Sequence, residues 1–253
     1  QRGQFHPRPP DPHVEPGSPA GSPLTRNRSG ALPAVLWPLL FGNYVIGSGV
    51  MVAAGTLNEI SADLSVSVAS AGQLISVGAL VMCVGAPTLA FFVSGWDRRR
   101  LLSLSLVWYG LLLCLSAAMP NYAALLPVRA LALVAPAIFT PQATACIGLL
   151  VGPEQRGRAI SFVFLGWALA SVLGMPMAAL LGGLFGWRVA FASVGVLAWV
   201  SAAWVWWTMP DGVRPLAMSG QAWRLTLQSP ALMLTVGITL CSSAGQFTLM
   251  AYL

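Results

Sequence analysis

Two groups of residues in this sequence are equipped for chemistry, and both are built on arginine. The stretch "SGWDRRRLL", residues 94–102, sets Asp97 beside Arg98, Arg99 and Arg100, with Gly95 just upstream and long charge-free runs on either side. The stretch "LLPVRALALVAPAIFTPQATA" carries one ionisable residue, Arg129, among apolar neighbours. A carboxylate among guanidinium groups can make charge-assisted hydrogen bonds that fasten two chain segments together. A lone guanidinium keeps its charge, so it acts on a nearby acid or water as a fixed positive field and does not give up a proton itself.

Other chemistries lack their residues. Both histidines, His6 and His13, fall in the first thirty positions. Cys83, Cys114, Cys146 and Cys241 lie in apolar runs without metal-ligand or CxxC spacing, and are expected to be small core residues. No GxSxG-type nucleophile arrangement is present, so an enzyme is not expected, nor is a cofactor or metal.

The elements that must position the arginines follow from composition. The chain is 57% hydrophobic and 8% charged, against about a quarter charged in soluble domains, and its apolar surface exceeds what one globular core can bury. Charge-free intervals at 29–58, 64–96, 101–128, 130–153, 159–187, 189–210 and 225–253 each reach the roughly 20 residues that a helix needs to cross hydrocarbon. No ten-residue alternation of a membrane barrel is present, so helices are expected. The spans are placed at 32–57, 69–93, 101–119, 123–150, 159–183, 188–208 and 230–253. The fold class is thus an all-α polytopic membrane protein, with Arg129 inside the fourth span about 9 Å from its outer end, where a snorkelling side chain is the competing reading.

Sidedness comes from charge. The net charge of +6 arises from thirteen arginines and no lysine. Eleven of them lie in alternate connectors: the tail (Arg2, Arg8, Arg26, Arg28), the 94–100 loop, "GPEQRGRA" (Arg156, Arg158) and the 209–229 segment (Arg214, Arg224). The opposite connectors carry Arg188 alone as a base, with Glu59 and Asp63 in "NEISADLSVS". The positive-inside rule then makes the N-terminus cytoplasmic. Scattered arginines of this kind serve orientation, and no nucleic-acid partner is expected. Residues 1–30, rich in Pro, Gly, Ser and Arg, are expected to be disordered, with Arg26 and Arg28 topogenic or in contact with anionic lipid. Trp187, Trp206 and Trp207 fit interfacial aromatic belts.

The ordered motifs resemble the major facilitator superfamily, specifically its drug:proton antiporter and arabinose-efflux-permease-like branch. Gly95, Asp97, Arg98, Arg99 and Arg100 look like a shortened form of that family's loop between helices 2 and 3, which implies a gating latch. Arg129 matches the family's helix-4 arginine, linked there to proton transfer. "FLGWALASVLGMPMAALLGGLFGWR", with Gly166, Gly174, Pro176, Gly182 and Gly183, resembles the helix-5 antiporter motif, although Met175 separates Gly174 from Pro176 and Ala178 and Ala179 replace usual glycines. Ordinary small-residue packing explains the same residues. Val50 stands where many members carry an acid on helix 1, so no carboxylate lies within the expected spans.

The resemblance implies a six-helix N-terminal bundle of inverted 3+3 repeats over 31–208, a cytoplasmic linker over 209–229 and, at 230–253, helix 7 as the start of a second bundle that is missing. The expectation is a truncated transporter. Asn43, Tyr44, Gln142 and Gln246 are the candidate cavity residues, each equally able to make an interhelical hydrogen bond. The implied function is efflux of small organic compounds or drugs across an inner membrane by alternating access, coupled to protons, with membrane lipid and the absent half as further partners. A uniporter or a sugar- or amino-acid-type transporter of the same fold, and a non-transporting membrane interaction protein, are the alternatives.

Overall fold

The structure is a computed structural model that describes residues 33–214 and 228–252, with the side chains of residue 240 and of 243–252 outside the described set. The expected disordered tail, Arg224 and most of the 209–229 linker therefore lie outside the described residues. The described chain is helical, with α1 (Leu36–Gly55), α2 (Leu57–Asp63), α3 (Val68–Val93), α4 (Arg98–Ala117), α5 (Tyr122–Ala132), α6 (Val134–Leu150), α7 (Arg156–Leu169), α8 (Met175–Phe185), α9 (Trp187–Thr208) and α10 (Pro230–Tyr252). No strand occurs among the described residues.

Six helical stretches among the described residues are long and apolar enough to cross a membrane: Leu36–Gly55, Val68–Val93, Arg98–Ala117, Tyr122–Leu150, Pro153–Phe185 and Trp187–Thr208. They match the first six expected spans within a few residues, the fifth beginning at Pro153 rather than 159. The seventh expected span corresponds to α10, a 23-residue helix whose described side chains are mostly exposed.

Local chemistry sets the helix ends. Ser67, Asp97 and Asn121 each sit in extended backbone and accept the amide of the residue three positions on, at 3.1, 3.2 and 2.9 Å, which satisfies a donor the helix itself cannot. Two spans are interrupted where proline removes a helical N–H. Pro136 cannot donate to Ala132, and the fourth span breaks at Leu133 between α5 and α6. The Trp108 indole donates to the Leu131 carbonyl beside that break, at 3.0 Å. In the fifth span a π-helical segment, Ala170–Gly174, precedes Pro176 and joins α7 to α8.

The core lies around α1. In an 18-residue apolar stretch of that span 72% of residues are buried, against 11% in the second span and 22% in the fifth. Helices α4 and α9 cross closely at Gly110 and Gly195: a side chain on Gly110 would come within 2.7 Å of the Gly195 carbonyl, and one on Gly195 within 3.0 Å of the Gly110 carbonyl. Small residues allow such approach where lipid supplies no hydrophobic drive for helix association. Cys146 is buried and Cys114 half-buried, but Cys83 and Cys241 are exposed. Those two were expected in the core; Cys83 instead occupies the outward face of α3, which an apolar run alone does not distinguish from the inward one, and Cys241 lies on α10, whose described side chains are almost all exposed.

Candidate functional site

Arg129 projects from α5 into the interior and is 1% exposed. Its Nη2 donates to the carbonyl oxygens of Gly49 (2.7 Å) and Val50 (3.1 Å) on α1. The guanidinium carbon lies 5.4 Å from the centre of the Phe191 ring on α9. Tyr109 of α4, fully buried, donates its hydroxyl to the Ile46 carbonyl at 3.3 Å, and a side chain on Gly49 would collide with that hydroxyl. The snorkelling alternative fails, because the guanidinium bonds to α1 carbonyls instead of reaching the bilayer surface. Arg129 Nε and Nη1 are buried and make no well-formed hydrogen bond among the described residues, although the Tyr109 hydroxyl lies beside the guanidinium. A fixed positive charge in so dry a place acts strongly on any acid or water brought to it.

The arginine loop is fastened to the segment that follows α9. Asp97 caps α4 through Oδ1 on the Arg100 amide (3.2 Å), and its Oδ2 accepts the Gly212 amide at 2.8 Å. The Arg98 amide donates to the Val213 carbonyl at 3.0 Å. Arg99 pairs with Asp211 at 2.6 Å and lies 4.5 Å over the Trp206 ring. Asp97 and Arg98 are buried, Arg99 is half-buried, and Gly95 and Arg100 are exposed. Arg98 Nη2 turns back to the Ser94 carbonyl at 3.3 Å. The loop is thus bonded to residues 211–213 of this chain.

Three of the helix-5 glycines form one seam. Side chains at Gly166, Gly174 and Gly182 would meet the Leu40 carbonyl, Ser48 Oγ (2.5 Å) and Thr56 Cγ2 (2.8 Å), and each pair is 126 positions apart. A constant offset means that α1 and the fifth span run parallel and in register through the π segment, which sits beside Ser48. Gly183 meets nothing within 4 Å, and both it and Pro176 face outward. Those two belong to the motif by sequence but not to the seam.

The polar candidates divide. Asn43 is fully buried, donates to the Val163 carbonyl at 3.2 Å and accepts from Thr140 at 3.0 Å, so it ties α1 to α7 and α6. Tyr44 is half-buried and its ring stacks with Phe41 at 6.1 Å. Gln142 is 6% exposed. The backbone of Gln246 lies in α10, but its side chain is outside the described residues.

At the opposite end from the arginine loop, Asp63 accepts from the Trp187 indole at 2.9 Å and from Arg188 in an ion pair, while Arg188 also donates to the Met119 carbonyl at 3.3 Å. These bonds, Trp187 first, hold the Asp63 carboxyl below the ordinary carboxylate range. Trp187 is 2% exposed, which corrects its expected place in an aromatic belt; Trp206 and Trp207, at 41% and 81%, are exposed as that reading requires. The cluster was missed because Asp63 lies more than 120 positions from Trp187 and Arg188. Its signal was Asp63 and Arg188, the opposite charges placed on one side by the alternation of connectors.

Six apolar spans surround a buried arginine, with an arginine loop at one end and an ion-pair cluster at the other, which is the arrangement of an integral membrane protein. The chain belongs to the Major Facilitator Superfamily, whose family model matches residues 36–253. It is 29% identical to a chloramphenicol resistance protein of Streptomyces lividans over 88% of this chain and 58% of that protein. It is 33% identical to a chloramphenicol efflux pump of Mycobacterium tuberculosis over 74% of this chain and 46% of the pump, and 28% identical to the inner membrane transport protein YdhP of Escherichia coli over 86% and 56%. The chain spans about half the length of the curated relatives it matches. A crystal structure of a peptide transporter, POT, in complex with sulfate superposes with a TM-score of 0.60 at 15% identity, covering 86% of this chain and 45% of that one.

Proposed function

We propose that this chain is part of an efflux transporter for small organic compounds, driven by a proton gradient and working by alternating access. In that reading residues 31–208 form one bundle, 209–229 a cytoplasmic linker and 230–253 the first helix of a second bundle, with the N-terminus inside as the arginine bias favours. Arg129 carries the proposal. Its charge is buried inside the bundle at the expense of desolvation, and the N–H groups of Nε and Nη1 make no full hydrogen bond to the described protein, with the Tyr109 hydroxyl as their polar neighbour. Because it does not titrate, its role is to lower the proton affinity of an acid brought near it. The names of the chloramphenicol relatives favour an organic cargo.

The test compares chloramphenicol accumulation in cells expressing the protein or Arg129→Ala, with and without a protonophore, at matched membrane levels of protein. Expression should lower accumulation, and both the substitution and collapse of the gradient should abolish that effect. Efflux that persists in Arg129→Ala would remove the arginine from the mechanism, and efflux indifferent to the protonophore would remove proton coupling.

A further inference from the structure

An apolar groove of about 310 Å³ runs between α4 and α9, lined by Ser103, Leu104, Val107, Trp199, Ala202 and Trp206 among others. Its shape follows from side-chain size. Ser103 and Ala202 form a low, buried floor, while Leu104, Val107, Trp199 and Trp206 stand 40–54% exposed as walls. The Trp199 indole is pinned to the Val107 carbonyl at 3.2 Å, so the wall is fixed in place. A second groove of about 200 Å³ opens on the other side of α4, between Trp96, Leu101 and Trp108, and Leu104 is the ridge shared by both.

Both grooves begin at the arginine end of α4. Arg99 lies over Trp206, a wall of the first groove, and its buried Nε has no protein partner among the described residues. Arg100, the next residue, and Arg214, one residue after the Val213 carbonyl that accepts the Arg98 amide, are both exposed. Of the two carboxylates nearby, Asp97 is occupied by the amides of Arg100 and Gly212, and Asp211 is paired with Arg99. The Asp211 side chain is 75% exposed, and a pair so open to solvent is held weakly, so another anion can share Arg99 at little cost. Among the described residues of 97–100 and 211–214, four arginines (Arg98, Arg99, Arg100 and Arg214) stand against two carboxylates.

We propose that an anionic glycerophospholipid binds here, its phosphate on Arg99 and Arg100 and its two acyl chains in the grooves that flank Leu104. Zwitterionic lipid would fill the same grooves but gain less from the excess of arginine. A lipid so placed touches α9, α4 and the 211–213 latch at once, and so couples bilayer composition to that latch.

The experiment is native mass spectrometry of the detergent-purified chain with phosphatidylglycerol or phosphatidylcholine of identical acyl chains. Phosphatidylglycerol should be retained preferentially, with the preference falling about five-fold for each arginine removed in Arg99→Gln and Arg100→Gln. Ala203→Trp, which fills the first groove, should reduce retention with the arginines intact. Asp211→Asn, which removes the competing carboxylate and spares the fold, should raise it. Equal retention of the two lipids, retention indifferent to the arginines or to Ala203→Trp, or no increase in Asp211→Asn would each overturn the proposal. So would a dimer in solution that buries the groove and excludes lipid.

Discussion

Arg129 holds the Gly49 carbonyl at 2.7 Å across two spans, so the most buried charge among the described residues is anchored on the glycine-rich turn of α1. The contact needs Gly49 to stay bare, since the Tyr109 hydroxyl occupies the place its side chain would take. Bracing and electrostatics are separable at this contact. Arg129→Met keeps most of the packing volume and removes the charge, and the desolvation cost removed with it offsets the loss of the bonds to the Gly49 and Val50 carbonyls. Thermal unfolding in detergent should therefore change by only a few degrees while the proposed efflux is lost. A variant that unfolds, or one that still pumps, would contradict the assigned role.

The seam between α1 and the fifth span makes a contrast between neighbouring glycines. Gly166→Ala drives a methyl group into the Leu40 carbonyl, which is backbone and cannot move aside, and should destabilise by about 1–3 kcal/mol. Gly183→Ala meets open space and should stabilise its helix by up to about 1 kcal/mol. Parallel thermal melts of the two variants read the difference directly.

Asp97 makes two amide bonds with different consequences. Asp97→Ala loses the cap on α4, worth about 1 kcal/mol, together with the Gly212 bond, whereas Asp97→Asn keeps a competent cap. Hydrogen exchange at the Gly212 amide should accelerate strongly in Asp97→Ala and less in Asp97→Asn. Unchanged exchange in both would mean that the latch does not hold 211–213.

Asp63 supplies a pH dependence. Its carboxyl is held below the ordinary value of 3.8 by Trp187 and Arg188, so the folded state favours the ionised form. The resulting stability is present above the unfolded-state value and is lost as pH falls through the lower folded-state value. Wild type should therefore melt above Asp63→Asn at pH 7, and the gap should close below about pH 4. A gap that persists at lower pH would assign the stabilisation to something other than the carboxylate.

The candidate site was only partly legible in the sequence. The arginine of "LLPVRALALV" stood out because a charge in an apolar run is costly, but nothing in the spacing showed that its partners are carbonyls 80 positions away. The loop "SGWDRRRLL" was legible as a charged connector, while its bonds to 211–213 were not, because a backbone amide such as that of Gly212 leaves no mark in residue type. Asn43 was read as a cavity or packing residue with equal ease, and only its bonds to Thr140 and Val163 show it tying three helices.

Composition and charge alone determined that the chain is a helical membrane protein, where its first six spans lie and which connectors share an end. Those properties follow from the absence of water in the bilayer, which forces each apolar stretch to satisfy its own backbone, and they are local to each stretch. The face each helix turns inward was decided only by tertiary structure. In a span apolar all round no periodicity separates core from lipid, so Gly174 and Gly183, or Cys146 and Cys83, look alike until the neighbouring helix is in place.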